Sequence, residues 1–201
     1  MSDSGNFEIL PADLAAGARQ AADSLSLEDQ SDQHAIALRV FACSDYAAGI
    51  GRRYPEVFAE LFSTGRLNEP LDDATLTAEF HSAAPDDESE PAFMRRLRLF
   101  RHRELVRIIW RDMASTSTAE EVLRDLSLVA DLCIRFAAER SMTEFANRYG
   151  QPLDELGNPA GFVVVAMGKL GGHELNFSSD IDLIFLYSAA GQTDGPVSYT
   201  H

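Results

Sequence analysis

The sequence predicts an α+β protein: a mostly helical N-terminal region, residues 1–155, is followed by the start of an α/β domain, residues 156–201. Three observations support this division. Apolar residues recur at helical spacing through most of the first part. Glycine and proline then recur from Gly150 to Pro159, which is typical of a linker or long turn. The β-branched run from Phe162 to Val165 suits a buried strand.

The first helices are delimited by proline and glycine. Pro11 favours a helix over Ala12 to Leu25, because proline is well tolerated at a helix start. A second helix is predicted from Asp32 to Ala48, before glycines weaken the pattern. Pro55 then opens a helix that ends at Gly65.

Two later helix starts carry side-chain signals. Asp72 or Asp73 can cap a helix that runs to about His81. Thr118, with Glu121 three residues later, resembles a capping box in front of a helix that ends near residue 149.

An arginine-rich helix is predicted over residues 93–113, after an acidic loop over residues 83–91. Four of its arginines fall on one row: Arg96, Arg103, Arg107 and Arg111. We interpret this row first as pairing with acidic residues of neighbouring helices. The alternative is a basic wall that faces phosphates.

The overall charge excludes some classes of partner. The chain has 32 acidic and 17 basic residues, a net charge of −15, so it lacks the basic face of a nucleic-acid-binding protein. We expect no membrane contact, because no signal peptide or membrane-spanning run is present. Cys43 and Cys133 are expected to be buried free thiols, which predicts a cytoplasmic protein.

A glycine-rich turn follows the first predicted strand. Gly168, Gly171 and Gly172 let backbone N–H groups approach phosphate oxygens, because glycine has no Cβ. Lys169, the only lysine in the chain, can add a compact positive charge. The hydroxyl groups of Ser178–Ser179 can donate hydrogen bonds to the same phosphates.

Two aspartates open the second predicted strand, residues 180–187. Side chains alternate along a strand, so Asp180 and Asp182 point to one face, about 7 Å apart, and Ile181 and Leu183 point to the core. Two carboxylates on one face can hold Mg²⁺, which prefers oxygen ligands and also binds phosphate. Each signal is weak alone, and their combination predicts a metal-and-phosphate site.

The order of these features resembles the polymerase-β-like nucleotidyltransferase superfamily, whose signature is a glycine turn followed by two aspartates one residue apart. More narrowly, the sequence GKLGGHELNFSSDIDLIFLY resembles the first nucleotidyltransferase domain of the glutamine synthetase adenylyltransferase/deadenylylase family. The helical lead-in is also similar, at Ser44-Asp45, at Tyr54-Pro55-Glu56 and from Arg103 to Asp112.

The resemblance implies a magnesium-dependent enzyme of nitrogen metabolism. In the family, the first domain removes AMP from a tyrosine of glutamine synthetase by phosphorolysis and forms ADP, and the second attaches AMP from ATP. Asp180 and Asp182 would hold the metal, and the glycines and serines of the turn would hold phosphates. PII signalling proteins and glutamine regulate the family.

The chain departs from the family pattern in one respect. Superfamily members complete the metal site with a third carboxylate on a later strand, and Asp194, beside a glycine in a predicted turn, is a poor candidate. We therefore interpret the chain as an N-terminal fragment that is inactive alone. A non-catalytic interaction module or truncated remnant is the alternative, and a small-substrate nucleotidyltransferase is disfavoured by the long helical lead-in.

Overall fold

The structure is a computed structural model that describes residues 12–23 and 32–195. The described chain forms two compact units, of which the first ends at Asp125 and the second begins at Leu126. Helices dominate, and the few strands pair antiparallel, which confirms the α+β class. The predicted domain boundary between residues 155 and 156 stays a prediction. Within these described ranges, no helix is long and apolar enough to span a bilayer.

The first unit is built from helices. They are α1 (Ala12–Asp23), α2 (Asp32–Cys43), α3 (Asp45–Arg53), α4 (Pro55–Ser63), α5 (Asp73–Ser82), α6 (Glu90–Met113) and the beginning of α7 (Ala119–Tyr149). A single 3-10 turn, Arg66–Asn68, follows α4. The sequence signal at Pro11 and the predicted end of the first helix at Leu25 lie outside the described residues.

Several helix starts are where the sequence places them. Pro55 occupies the first turn of α4. The carboxylate of Asp72 accepts a hydrogen bond of 2.8 Å from the backbone N–H of Thr75 and caps α5. The capping box of α7 is confirmed, because Thr118 and Glu121 exchange hydrogen bonds of 2.8 and 3.2 Å between side chain and backbone.

Two predicted boundaries are wrong. The single helix predicted from Asp32 to Ala48 is divided at Ser44, whose Oγ accepts from the N–H of Ala47 and starts a new helix. The loop predicted over residues 83–91 ends earlier, since Ser89 caps α6 at Ala92 N–H. In both cases the serine Oγ accepts a hydrogen bond from the backbone N–H three residues later, and this cap sets the start of the helix. The spacing of apolar residues does not show this boundary.

The core of the first unit is aromatic. Phe58 is fully buried, and its ring lies 5.3 Å from that of Phe41 in an edge-to-face arrangement. Trp110 of α6 is 1% exposed and meets Phe62 in the same geometry at 5.3 Å. These contacts fix α6 against α2 and α4.

The arginine row of α6 is an internal ion-pair network, which confirms the pairing interpretation over the basic wall. The network has the following partners: Arg96 binds Glu88, Arg103 binds Glu60, Glu79 and Glu104, Arg107 binds Glu104, and Arg111 binds Asp125. Arg107 and Glu104 are both fully buried, with 2.5 Å between Nη1 and Oε2. These guanidinium groups are therefore engaged inside the unit.

The second unit contains the rest of α7 and two small sheets. β1 (Pro152–Asp154) pairs with β4 (Gly191–Thr193), and β2 (Phe162–Ala166) pairs with β3 (Leu183–Tyr187). The linker and the late turn predicted from glycine and proline are therefore partly strand. Their pairing joins segments that are distant in the chain, and local sequence carries no signal for it.

The β2–β3 sheet is more exposed than the sequence suggests. Val163 of the predicted buried strand is 56% exposed, and Phe185 of β3 is 61% exposed. The expectation of a buried strand is wrong for this chain, because the described residues place no further layer over these side chains.

Neither Cys43 nor Cys133 forms a disulfide bond in the described part of the chain, in agreement with the expected thiols. The expected burial is wrong for Cys43, which is exposed at the end of α2, whereas Cys133 is half-buried.

Candidate functional site

Strand pairing brings the glycine turn and the acidic segment to the same end of the β2–β3 sheet. Ala166 at the end of β2 pairs with Leu183 at the start of β3. The N–H of Met167 then donates a 2.9 Å hydrogen bond to the carbonyl of Asp182, one residue beyond both strands. Asp182 is thereby fixed beside the residue that enters the turn.

The turn itself is a short helical segment, α8 (Gly168–Gly171). Gly168 has φ +57°, in the left-handed region that glycine adopts without a steric penalty. A Cβ at Gly171 would lie 2.5 Å from the carbonyl oxygen of Ala166. Leu170 between them is 1% exposed and anchors the turn. Backbone geometry therefore favours glycine at Gly168 and Gly171, and the predicted approach of this turn to phosphate stays a prediction.

Alanine at Gly171 is expected to disrupt this turn, because the clash is with backbone that cannot rotate away. We expect a loss of about 1–3 kcal/mol in unfolding free energy for Gly171→Ala, measured by urea denaturation. Gly172→Ala is the matched control, since φ is −88° and a Cβ there meets nothing nearer than 3.7 Å. Equal losses in the two variants would contradict the geometric argument.

The segment after the turn is held by two groups that sequence reasoning missed. Ser127 on α7 is fully buried, and its Oγ accepts a 3.1 Å hydrogen bond from the N–H of Leu175. The Oδ1 atom of Asn176 accepts from the N–H of Ser178 at 3.2 Å and from the Oγ of Ser179 at 2.7 Å. An asparagine two residues before a serine pair is a recognisable turn signal, whereas Ser127 has no local signature.

Two of the predicted phosphate-binding residues lie together. The Nζ of Lys169 is 3.4 Å from the Oγ of Ser179, which links the glycine turn to the serine turn. The Ser178 side chain is exposed, and its backbone N–H is the group that Asn176 orients. A cationic ammonium, a hydroxyl group and nearby backbone amides form a combination that suits an anionic oxygen.

The two aspartates differ in part from the sequence prediction. Both are exposed, and they precede β3, which begins at Leu183, instead of lying inside it. Ile181 between them is 41% exposed, so the expected packing of Ile181 against a core is wrong. Among the described residues, neither Asp180 nor Asp182 forms a salt bridge, and both carboxylates are therefore available to a cation.

The donor chemistry of this pair fits magnesium. Mg²⁺ is commonly held by one or two carboxylates, and water and substrate phosphates complete its octahedron. Within the described residues, no group of three or more histidine, cysteine, aspartate or glutamate side chains could hold a metal. Asp194 is engaged elsewhere, since its Oδ1 accepts a 2.6 Å hydrogen bond from the N–H of Gln151. The described residues therefore place an acid pair beside a glycine turn.

The Nδ1 of His173 lies 3.9 Å from Asp131 Oδ2, and the backbone of His173 has φ +57°. Histidine is among the non-glycine residues enriched in this region of φ, so the conformation is compatible with a structural role. Its side chain is 70% exposed, and no chemical role is assigned to it.

Comparisons with known proteins agree on one family. Residues 35–200 match the family model described as glutamate–ammonia ligase adenylyltransferase. The chain is 45% identical over 158 residues to a bifunctional glutamine synthetase adenylyltransferase/adenylyl-removing enzyme of Thioalkalivibrio sulfidiphilus, covering 79% of this chain. It is 41% identical over 158 residues to the enzyme of that name from Pseudomonas aeruginosa, covering 78% of this chain. The chain spans about 16% of the length of each relative.

Proposed function

Because this chain belongs to the glutamate–ammonia ligase adenylyltransferase family, we propose that it is part of an enzyme that adds AMP to glutamine synthetase and removes it. The names of its relatives describe both activities. The proposal places the enzyme in the regulation of nitrogen assimilation, in the cytoplasm. PII signalling proteins enter as regulators on the family resemblance alone.

We assign this chain to the adenylyl-removing half. The support is the amino-acid sequence of the segment from Gly168 to Leu186, together with the helical lead-in. Both resemble the first nucleotidyltransferase domain of the family. In this reaction an oxygen of inorganic phosphate attacks the phosphorus of the adenylyl group. The bond from that phosphorus to the tyrosine oxygen breaks, ADP forms, and the tyrosine takes up a proton.

The observation that supports nucleotidyl transfer is the shared end of the β2–β3 sheet, where the hydrogen bond from the N–H of Met167 to the carbonyl of Asp182 holds the acid pair beside the glycine turn. In the proposed site, Lys169 binds phosphate oxygens and the backbone amides of the turn orient them, and the Ser179 hydroxyl exchanges its hydrogen bond to Asn176 for one to a phosphate oxygen. Asp180 and Asp182 would hold Mg²⁺, which supplies charge stabilisation to the transferring phosphoryl group.

We further propose that this chain needs additional groups to complete the site. The support is the acid pair without a third carboxylate partner among the described residues, and the exposed faces of the β2–β3 sheet. The 201-residue chain alone is therefore expected to form no ADP from adenylylated glutamine synthetase, phosphate and magnesium.

A chimera tests the function directly. Residues 35–200 of this chain would replace the matching stretch of the Thioalkalivibrio relative, which is 45% identical over 158 residues. We expect the chimera to release ADP from adenylylated glutamine synthetase when phosphate and magnesium are added, measured by chromatography of the nucleotide product. A folded chimera that attaches AMP from ATP but never removes it would contradict the assignment to the adenylyl-removing half.

A further inference from the structure

A cluster of exposed arginines and aromatic rings lies on the first unit. Its residues are different from those of the ion-pair row of α6. We call it the Tyr–Arg patch. Its residues are Tyr46 and Arg53 on α3, Tyr54 between α3 and α4, and Arg98, Arg101 and His102 on α6. Its arginines are all exposed, whereas Tyr54 and His102 are half-buried.

The aromatic residues form the base of the patch. The ring of Tyr54 stacks on that of His102, with centroids 5.6 Å apart and an interplanar angle of 27°. The Tyr46 hydroxyl lies 2.6 Å from His102 Nδ1. Burial, together with Arg101, Arg98 and Arg53, lowers the pKa of His102 below its ordinary value. The imidazole and the Tyr46 hydroxyl are thus joined by a hydrogen bond whose donor is set by the tautomer, and this bond and the ring stacking fix the base in one geometry.

The arginines of the patch differ from the ion-paired arginine row of α6. Arg96 and Arg107 are paired with glutamate inside the unit. In the described part of the chain, Arg53, Arg98 and Arg101 form no salt bridge, and their positive charges act together on the imidazole of His102. An uncompensated positive surface is unexpected on a chain of net charge −15.

The composition of the patch is that of a protein-binding surface. Tyrosine and arginine are enriched at the energetic centres of interfaces, because they combine large contact area with directed hydrogen bonding. Arg53 lies over the ring of Tyr54 at 5.8 Å, so part of its guanidinium is already positioned. Exposed guanidinium groups suit an extended partner better than a small molecule, since small-molecule sites enclose most of their ligand.

We propose that the Tyr–Arg patch binds an acidic segment of a partner protein. Guanidinium groups bind carboxylates in a bidentate fork, and the three arginines present such groups around a rigid aromatic base. The charge of the patch, opposite to that of the chain as a whole, selects for a carboxylate-rich partner and steers its approach. The proposal concerns the first unit alone and does not depend on the nucleotide chemistry proposed above.

A binding experiment on the 201-residue chain tests the patch. The probe is a short fluorescein-labelled peptide of alternating glutamate and alanine, with its glutamine counterpart as the uncharged reference, followed by fluorescence anisotropy at low salt. We expect the glutamate peptide to bind and the glutamine peptide not to bind. Replacing Arg98 and Arg101 together by glutamine is expected to weaken binding about tenfold, since two exposed ion pairs to the peptide are lost.

The matched control is the double variant Arg19→Gln/Arg148→Gln, which changes the net charge equally at two exposed arginines outside the patch. We expect less than about a twofold effect from this control, because the two exposed arginines are not part of the patch and an isolated exposed charge contributes little. Equal weakening in both double variants would overturn the patch in favour of general charge attraction. Displacement of the peptide by micromolar ADP would overturn it in favour of a nucleotide site. Patch-dependent self-association in sedimentation would overturn it in favour of a second copy.

Discussion

Replacement of Arg107 by methionine is expected to lower the free energy of unfolding by about 3–5 kcal/mol, because it leaves the buried carboxylate of Glu104 without its closest partner. Both side chains are fully buried. Arg107 also donates to the carbonyl oxygens of Arg66 and Glu69 at 3.1 Å, so its replacement also removes the donor of two backbone acceptors. Urea denaturation followed by circular dichroism measures the change.

Arg95→Met is the control for this experiment, since Arg95 lies on the same helix and is exposed. Its effect should stay within about 0.5 kcal/mol, as is usual for surface substitutions. If Arg107→Met lowered the free energy of unfolding no more than this control does, the buried network would not be a major contributor to stability. High salt should change the Arg107 result little, because buried pairs are poorly screened.

Asparagine at Asp180 or at Asp182 is expected to lower the rate of ADP release by the chimera about 100-fold or more. Loss of an outer partner of a metal ligand already costs about 10–100-fold, and these carboxylates are the proposed ligands themselves. Both residues are exposed, so folding should be unaffected, and thermal denaturation of each variant checks this point. The rates are measured with saturating phosphate and a range of magnesium concentrations.

Glu155→Gln provides the matched control, because Glu155 is an exposed acidic residue of the same unit that lies in the turn after β1. The same loss of one negative charge there should leave the rate within about twofold, since an exposed charge in water contributes little at a distance. If Asp180→Asn and Glu155→Gln reacted at the same rate, Asp180 would have no part in the chemistry.

Much of the fold followed from signals that act over one helical turn. Proline at residue 55, the cap at Asp72 and the capping box at Thr118 each report on backbone groups three or four residues away, and the structure has them as predicted. The predicted boundaries that were wrong, at Ser44 and Ser89, were of the same local kind. They could have been found from the sequence, because a serine cap carries its own signature.

The candidate site could also be predicted in part from the sequence. The order of glycine turn, serines and aspartates identifies the chemical groups of the site. The structure adds the contact between Lys169 and Ser179. The hydrogen bond by which Ser127 anchors this segment at Leu175 could not be predicted from the sequence. The two residues are separated by most of α7 and the linker.

The sequence by itself determined the α+β class, the helix starts at Pro55, Asp72 and Thr118, and the identity of the groups near the glycine turn. Only the tertiary structure decided the pairing of β1 with β4, the burial of Arg107 against Glu104, and the lack of such pairing at Arg98. The reason is physical. Capping and periodicity depend on neighbours within a turn of chain, whereas strand pairing and charge burial depend on which distant segments meet, and that is set by the free energy of the whole fold.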